Sequence, residues 1–565
     1  MSRIGDLIDD FGYPVRRGVR GAGERVGALW FGRPLEFRRR AAGVAALIVL
    51  YAVLKVGASA LPCQLPAGDD CAPKDDLARI VPGDAMLYAH ISLGSGQYDK
   101  ARSLAGKLPH AEALLASAVA GLDLPSGENV DIARDLEPWR GDEAGVIRLP
   151  GPGSGDAALL VAARDEKKAL AFAGKIGPGK ARNGSYKGHP LRLHSGGFTT
   201  ALVDGFLVAG NLRALRRVID TTRLPGAALG ASALPKSVRD ALPAQRFADV
   251  YLSRQGIRLL LAGRGGYAGQ LDTFTDFSAS RAIAGSAQAH GSGVEFQLES
   301  ALNPKLAKRH PPFFRAFGPF EPGLAGELSD EALLYFGVGD LQSSITALLR
   351  QAAQTSPGLA LSLRGFRARL SARAKVDIAR KALPLLGGEA AIAIEPTARV
   401  PYAALVVDGV EEKRARELIG ELAPSIARAA GTRGNIASRL SSRDIEGVRA
   451  ASIRLSPTVN LTMAAFDGKL VVATDPAGVK EVRSGEAPLS GSSIYRKTTS
   501  RVGGEVSALV FLNLEELFRL AERAGLAEDL TYATFAEDIH TLKALGVGVN
   551  TPRDKLSTTF FLTIE

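Results

Sequence analysis

The feature that most constrains this chain is that part of it is written twice. Residues 130–134 read Val-Asp-Ile-Ala-Arg, and residues 376–380 read the same. The register then holds without a gap. Pro138 falls on Pro384, Gly141 on Gly387, Glu143 on Glu389, and Ala157-Ala158-Leu159 on Ala403-Ala404-Leu405. Over residues 130–169, 17 of 40 positions are identical to those 246 further on. Self-similarity at a fixed offset is the mark of a duplicated folding unit. Two copies are therefore expected, residues 81–302 and residues 328–565. Between them lies a linker rich in Pro and Gly, residues 303–327.

Within each copy the pattern alternates between strands and helices. Short apolar runs lie at residues 86–93, 143–149, 157–163, 198–203 and 206–209, several of them joined by turn residues such as Asp204-Gly205. Asp-Gly between two apolar runs is a hairpin signal. A helix is expected at residues 98–122 and another at 165–176. A third carries Leu212, Leu215, Val218 and Ile219 on one side, the 3.6-residue period of an amphipathic helix. The second copy repeats the order, with a strand at 333–337, the hairpin turn Asp467-Gly468, and a closing hairpin over 545–564. Hairpin-linked strands followed by helices predict an α+β fold. Each of two tandem homologous domains would be a mainly antiparallel sheet with helices on one face.

The N-terminal 80 residues differ. Residues 1–40 carry nine Arg against five acids. Ile4, Leu7, Ile8 and Phe11 fit either a short amphipathic helix on a membrane surface or a tail with chance spacing. Residues 41–61 are apolar apart from Lys55, and about long enough to cross a ~30 Å hydrocarbon layer. Arg38-Arg39-Arg40 stands directly before them, and Asp69 and Asp70 are the nearest charges after. By the positive-inside rule the tail is cytoplasmic and everything beyond residue 61 lies outside the cell membrane. A cleaved signal peptide is the rival, with Ala58-Ser59-Ala60 as its cutting site, but a leading region of 40 residues is long for one. The lipid bilayer is thus the first expected partner, through residues 41–61, and residues 62–80 form a stalk. Cys63 and Cys71, the two cysteines of the chain, lie in that stalk. In an oxidising compartment they are candidates for a disulfide. No neighbouring His completes a metal set.

Residues 135–144 read Asp-Leu-Glu-Pro-Trp-Arg-Gly-Asp-Glu-Ala, and residues 383–390 read Leu-Pro-Leu-Leu-Gly-Gly-Glu-Ala. Both resemble the signature of a bacterial family whose members are known as proteins with domain of unknown function 3352. The resemblance extends to Phe206-Leu207-Val208-Ala209 and covers most of the chain from Val81 onward. It implies an anchored, exported protein of unknown activity, and it carries over no catalytic residue. Trp139 and Arg140 become Leu385 and Leu386 in the second copy, so neither is required by the repeat.

Motifs that promise chemistry fail on inspection. Residues 174–181 approach a phosphate-binding loop, but Ala181 stands where a hydroxyl is needed. Residues 263–269 have Ala268 in place of the third glycine of a dinucleotide loop. The seven histidines show no metal-protease spacing. No cofactor and no metal site are expected. The net charge of +11 is modest for 565 residues and comes with no nucleic-acid motif, so a nucleic-acid partner is not expected. A basic stretch over residues 363–381 belongs to the second copy alone; it could face an acidic partner or a lipid surface, and a solvated helix face is the favoured reading. What both copies keep is a charge trio, Asp131, Arg134 and Glu143, repeated as Asp377, Arg380 and Glu389. It reads as structure rather than catalysis. Asp131 would cap a short helix, and Arg134 would pair with Glu143 across the Pro138–Gly141 turn. The functional expectation is a non-catalytic binding or scaffolding module in the envelope, with an unknown envelope protein or ligand as partner. The alternatives are an envelope hydrolase whose site forms only in the fold, or a carrier of an apolar ligand.

Overall fold

The computed structural model describes residues 73–111, 135–151, 156–176, 181–261, 279–309, 317–346, 361, 365, 368, 382–397, 400–431, 440–552 and 555–565. The expected span at 41–61, Cys63, Cys71, Asp131, Arg134, Asp377 and Arg380 lie outside these residues. Among the described residues no helix is long and apolar enough to cross a membrane.

The fold is α+β, built, among the described residues, on an antiparallel sheet of twenty strands. In the first half, β1 (Leu87–Ser92) pairs with β2 (Arg140–Leu149), and β2 with β3 (Asp156–Ala163). An outer meander follows, of β4 (Arg182–Tyr186), β5 (His189–Leu193), β6 (Phe198–Val203) and β7 (Phe206–Asn211), and β7 returns to pair with β3. On the other side of β1 lie β8 (Ala248–Ser253), β9 (Ser280–His290) and β10 (Gly293–Leu302). The half therefore runs β4-β5-β6-β7-β3-β2-β1-β8-β9-β10.

The second half has β11 (Leu334–Val338), β12 (Ala390–Glu395), β13 (Tyr402–Val407), β14 (Leu440–Ile445), β15 (Val448–Arg454), β16 (Asn460–Phe466), β17 (Lys469–Ala473), β18 (Ala508–Asn513), β19 (Leu542–Asn550) and β20 (Lys555–Ile564). Its pairings give β14-β15-β16-β17-β13-β12-β11-β18-β19-β20, the same order strand for strand. The last strand of each half then pairs with the last strand of the other, from Gly293↔Thr563 to Ala301↔Lys555. The sheet is continuous across that seam.

Turn chemistry sets the meanders. Asp204 and Gly205 have φ of 47° and 82°, and Asp467 and Gly468 have 48° and 71°. Two successive positive φ values make the turn whose twist matches antiparallel strands, and Asp-Gly adopts it readily. The expected Asp-Gly hairpins are present in both halves.

Helices cover both faces of the sheet, not the one face expected. On one face of the first half lie α3 (Leu212–Thr222) and α4 (Ala233–Arg239), packed on Tyr88, Ile147, Leu149, Leu160 and Tyr251. On the other lie α1 (Gly96–Ala105) and α2 (Glu166–Ala173), packed on Ile91, Ala144, Val161 and Leu207 around Trp139. The cause is legible in β1 and β7, five of whose six residues are buried. A strand covered on one face would alternate buried and exposed. Two further helices, α5 (Arg254–Leu261) and α6 (Pro304–Arg309), follow β8 and β10. In the second half α7 (Glu412–Gly431) covers one face, and α8 (Pro476–Ser484) and α9 (Ser493–Thr499) the other, while α10 (Leu514–Arg523) follows β18.

Short polar caps start the helices. Asp165 accepts from the Lys168 N–H at 3.1 Å, and Asn211 from the Ala214 N–H at 2.8 Å. The helix expected over residues 98–122 ends at Ala105, where Gly106 and Lys107 turn the chain.

Candidate functional site

Glu143 leads to the site. It lies on β2, on the sheet face that carries Ile147 and Leu149, and is buried. Its Oε2 accepts the Leu77 N–H at 3.1 Å. Leu77 opens a 3-10 turn, Leu77–Arg79, whose first N–H groups have no partner within the turn. A carboxylate from the sheet thus caps a segment of the lead-in chain.

Around this cap the first half gathers charge. His90 on β1 and Asp249 on β8 are fully buried, with His90 Nδ1 at 3.3 Å from Asp249 Oδ1. His90 Nε2 points at Glu143 Oε2 across 3.8 Å and makes no hydrogen bond. Arg239, the last residue of α4, donates from Nε to Asp249 Oδ2 at 3.0 Å and lies over the Tyr88 ring at 5.1 Å. It also pairs with Asp75. Arg246 Nε reaches Asp249 Oδ1 at 3.2 Å. Asp75 in turn accepts from the Tyr88 hydroxyl and from the Ala78 N–H. Lead-in segment, three strands and α4 are thereby tied into one buried network.

Its electrostatics follow from the inventory of three carboxylates and two guanidinium groups. Burial disfavours charge on Asp249, but Arg239, His90 and Arg246 together hold its carboxyl far below the usual range. Burial alone would lower the His90 imidazole. The hydrogen bond to Asp249 and the fields of Asp75, Asp249 and Glu143 outweigh it and hold His90 above its ordinary 6.5. Burial also raises the Glu143 carboxyl, against the opposing bond from Leu77. A proton on His90 balances the enclosure.

One ligand atom each from Asp75, His90 and Glu143 lie within 4.8 Å of one another, the makings of a metal set. The donors fit a proton better. Asp75 already serves Tyr88, Ala78 and Arg239, and Glu143 Oε2 serves Leu77. A divalent ion would leave excess positive charge beside Arg239. Both ring nitrogens of His90 face carboxylates, with no hydroxyl, thiol or amine hydrogen-bonded to it. The arrangement can hold a proton and fix geometry, and it presents no activated nucleophile.

The second half keeps the cap and loses the charge. Glu389 accepts the Gly323 and Leu324 N–H groups at 3.1 and 2.9 Å, at the 3-10 turn Leu324–Gly326. Tyr335 stands at the position of Tyr88, but Gly337 replaces His90, Leu509 replaces Asp249 and Thr499 replaces Arg239. An aromatic group takes the space, with Tyr495 edge-on to Tyr335 and Phe511 at 6.0 and 5.1 Å.

Of the repeated trio, the described residues are Glu143 and Glu389, and both cap the turn that leads into their half. The partners expected for them, Arg134 and Arg380, lie outside the described residues. Sequence reading missed His90, Asp75, Arg239 and Asp249. A histidine within the apolar run of β1 was the available signal.

The family model for the proteins of unknown function named DUF3352 matches residues 41–559. The chain belongs to that family. The DUF3352 match takes in both halves of the sheet and the residues of the buried network. No curated protein matches the chain. Among solved structures, crystal form I of TP0453 is similar over 41% of this chain and 80% of that one, at 11% identity and a TM-score of 0.24. Crystal form III of TP0453 is similar over 44% and 90%, at 10% identity and a TM-score of 0.23.

Proposed function

We propose that this DUF3352 protein is a single-pass, membrane-anchored scaffold of the cell envelope, without catalytic activity. Two tandem homologous α+β domains would stand outside the membrane and bind an envelope protein or ligand. The observation that carries this reading is the use of the buried network in the first half. It clamps residues 75–78, near the C-terminal end of the expected stalk, to β1, β2, β8 and α4. A rigid mount at the far end of a short stalk suits a protein whose task is to hold a surface in place. The repeated strand order supports duplication of one unit, and the Arg38-Arg39-Arg40 cluster before residues 41–61 supports the topology.

The test has two arms. Protease added to intact spheroplasts is expected to degrade the chain beyond residue 61 and to spare the N-terminal tail; a protected C-terminal half would sink the topology. The detergent-extracted chain is expected to turn over none of a panel of ester, phosphate, glycoside and peptide substrates. Turnover that His90→Asn abolishes, with melting unchanged, would establish the hydrolase instead.

A further inference from the structure

The two halves differ also at one end of β2 and its counterpart β12. In the first half Leu149 and Asp156 face each other across β2 and β3. Asp156 is buried and pairs with Arg213 Nε at 3.0 Å. One turn along α3, Arg217 pairs with Asp84 and donates to the Pro150 carbonyl at 3.4 Å. Each carboxylate there has its guanidinium.

In the second half the same positions carry the opposite chemistry. Glu395 replaces Leu149, and Tyr402 faces it in register. On α8, Ala477 stands where α3 has Arg213, and Glu481 where it has Arg217. Asp330 and Glu331 replace Gly83 and Asp84. The Tyr402 hydroxyl donates to Glu481 Oε2. Glu395 is only 2% exposed, and neither of its oxygens has a hydrogen-bond partner. The groups whose fields reach its carboxyl are Glu481, Glu331 and Asp330, all acidic.

A buried carboxylate with both oxygens unsatisfied is rare, because its desolvation is uncompensated. Here the cation that the first half supplies from its own helix has been replaced by a further acid. We propose that the second half takes that cation from solution, binding one hard divalent ion between Glu395 and Glu481. Glu395, the last residue of β12, forms the floor of the site. Asp330 and Glu331, both exposed, mark its mouth and draw the ion in. The donor set is all oxygen, with carboxylates and a phenol, and no His or Cys. Such a set selects Ca²⁺ over Zn²⁺. It also tolerates the large, irregular coordination that Ca²⁺ accepts and Mg²⁺ does not.

The experiment is calorimetric titration of Ca²⁺ into the full chain in detergent, after treatment with chelator, alongside thermal melting. One ion per chain is expected, with a Kd on the order of 0.1–1 mM, the range of extracellular modules, and a higher midpoint with Ca²⁺ than with Mg²⁺. Glu395→Gln and Glu481→Gln are each expected to weaken binding tenfold or more. Asp84→Asn, at the first half's counterpart of Glu331, leaves it unaltered. Glu395→Gln removes a buried charge at constant shape, so without Ca²⁺ it melts no lower than the parent. Should it fail to fold, Glu481→Gln carries the same test. Absence of Ca²⁺ binding to the parent chain overturns the proposal. So does parental affinity in both Gln variants, or a preference for Zn²⁺.

Discussion

At the residue scale, the informative groups are buried acids and one histidine whose proton affinities are raised. Burial and three neighbouring acids push the Glu395 carboxyl up to about 8 from an ordinary 4.5. A raised folded-state pKa means that the native chain binds this proton more tightly than the unfolded chain does. The corresponding stability is fully present below pH 4.5 and is lost as pH rises toward 8. In the presence of chelator, Glu395→Gln is therefore expected to stabilise the protein at pH 8, by up to about 4 kcal/mol, and to change little at pH 4. A variant that melts like its parent at both pH values would contradict this. His90 acts in the same direction over a higher window. Its stabilisation is complete below 6.5 and falls away as pH climbs past the raised value set by Asp249, Asp75 and Glu143. In the Glu395→Gln background the midpoint should still fall above pH 6.5, and His90→Asn should flatten that remaining fall. Glu143→Ala should lower the midpoint at every pH. It uncaps Leu77 and removes the acid facing His90, at a cost of roughly 1–3 kcal/mol. Glu389→Ala, which uncaps two N–H groups, should cost a similar amount, and a loss confined to the first half would show that the two caps are not equivalent.

At the scale of elements, the hairpin of β9 and β10 provides a controlled comparison. Gly293 begins β10, opposite Thr563 of β20. A Cβ there would sit 2.1 Å from the Leu562 carbonyl oxygen, whereas one on Gly291, two residues earlier in the turn, would meet nothing within 4 Å. Gly293→Ala should force the seam strands apart and destabilise by about 1–3 kcal/mol, while Gly291→Ala should be near neutral. Equal effects in urea unfolding would mean that the seam is looser than its register implies. Most elements were legible in the sequence because they combine an apolar period with explicit turn chemistry, as do β6, β7, β16 and β17 around their Asp-Gly turns. The outer strands β4 and β14 were not. Their residues are mostly exposed and polar, so burial imposes no alternation on them. The buried network was hidden for a different reason. The offset between the copies slips from 246 at Glu143 to 247 at Tyr88 and 260 at Asp249. The replacements of His90, Arg239 and Asp249 therefore align with Gly337, Thr499 and Leu509 only once the strand pairings are known.

At the scale of the molecule, the two halves make one continuous sheet. The terminal strands of the two halves pair along nine registered positions, from Gly293↔Thr563 to Ala301↔Lys555. Polar contacts cross between the halves as well. His110 in the turn after α1 meets Asp538 of α11 (Leu530–His540) through its Nδ1 at 2.7 Å and its N–H at 2.9 Å. Ser557 donates to Glu299 at 2.7 Å. Residues 73–309 expressed alone would leave β10 as a ten-residue edge carrying Val294, Phe296 and Leu298, and residues 317–565 would leave β20 with Phe560 and Phe561. Long apolar edges of this kind recruit other strands. Because the seam joins equivalent strands of two similar units, each half carries an edge that can pair with a second copy of itself. The two halves co-expressed as separate chains should therefore elute together as a one-to-one complex. Each expressed alone should self-associate or aggregate. Gly293→Ala, which blocks the close approach at Leu562, should weaken the co-expressed complex. Two halves that are each monomeric and soluble, and that ignore one another when mixed, would mean that the seam is a contact of convenience and that the sheet draws little of its stability from continuity.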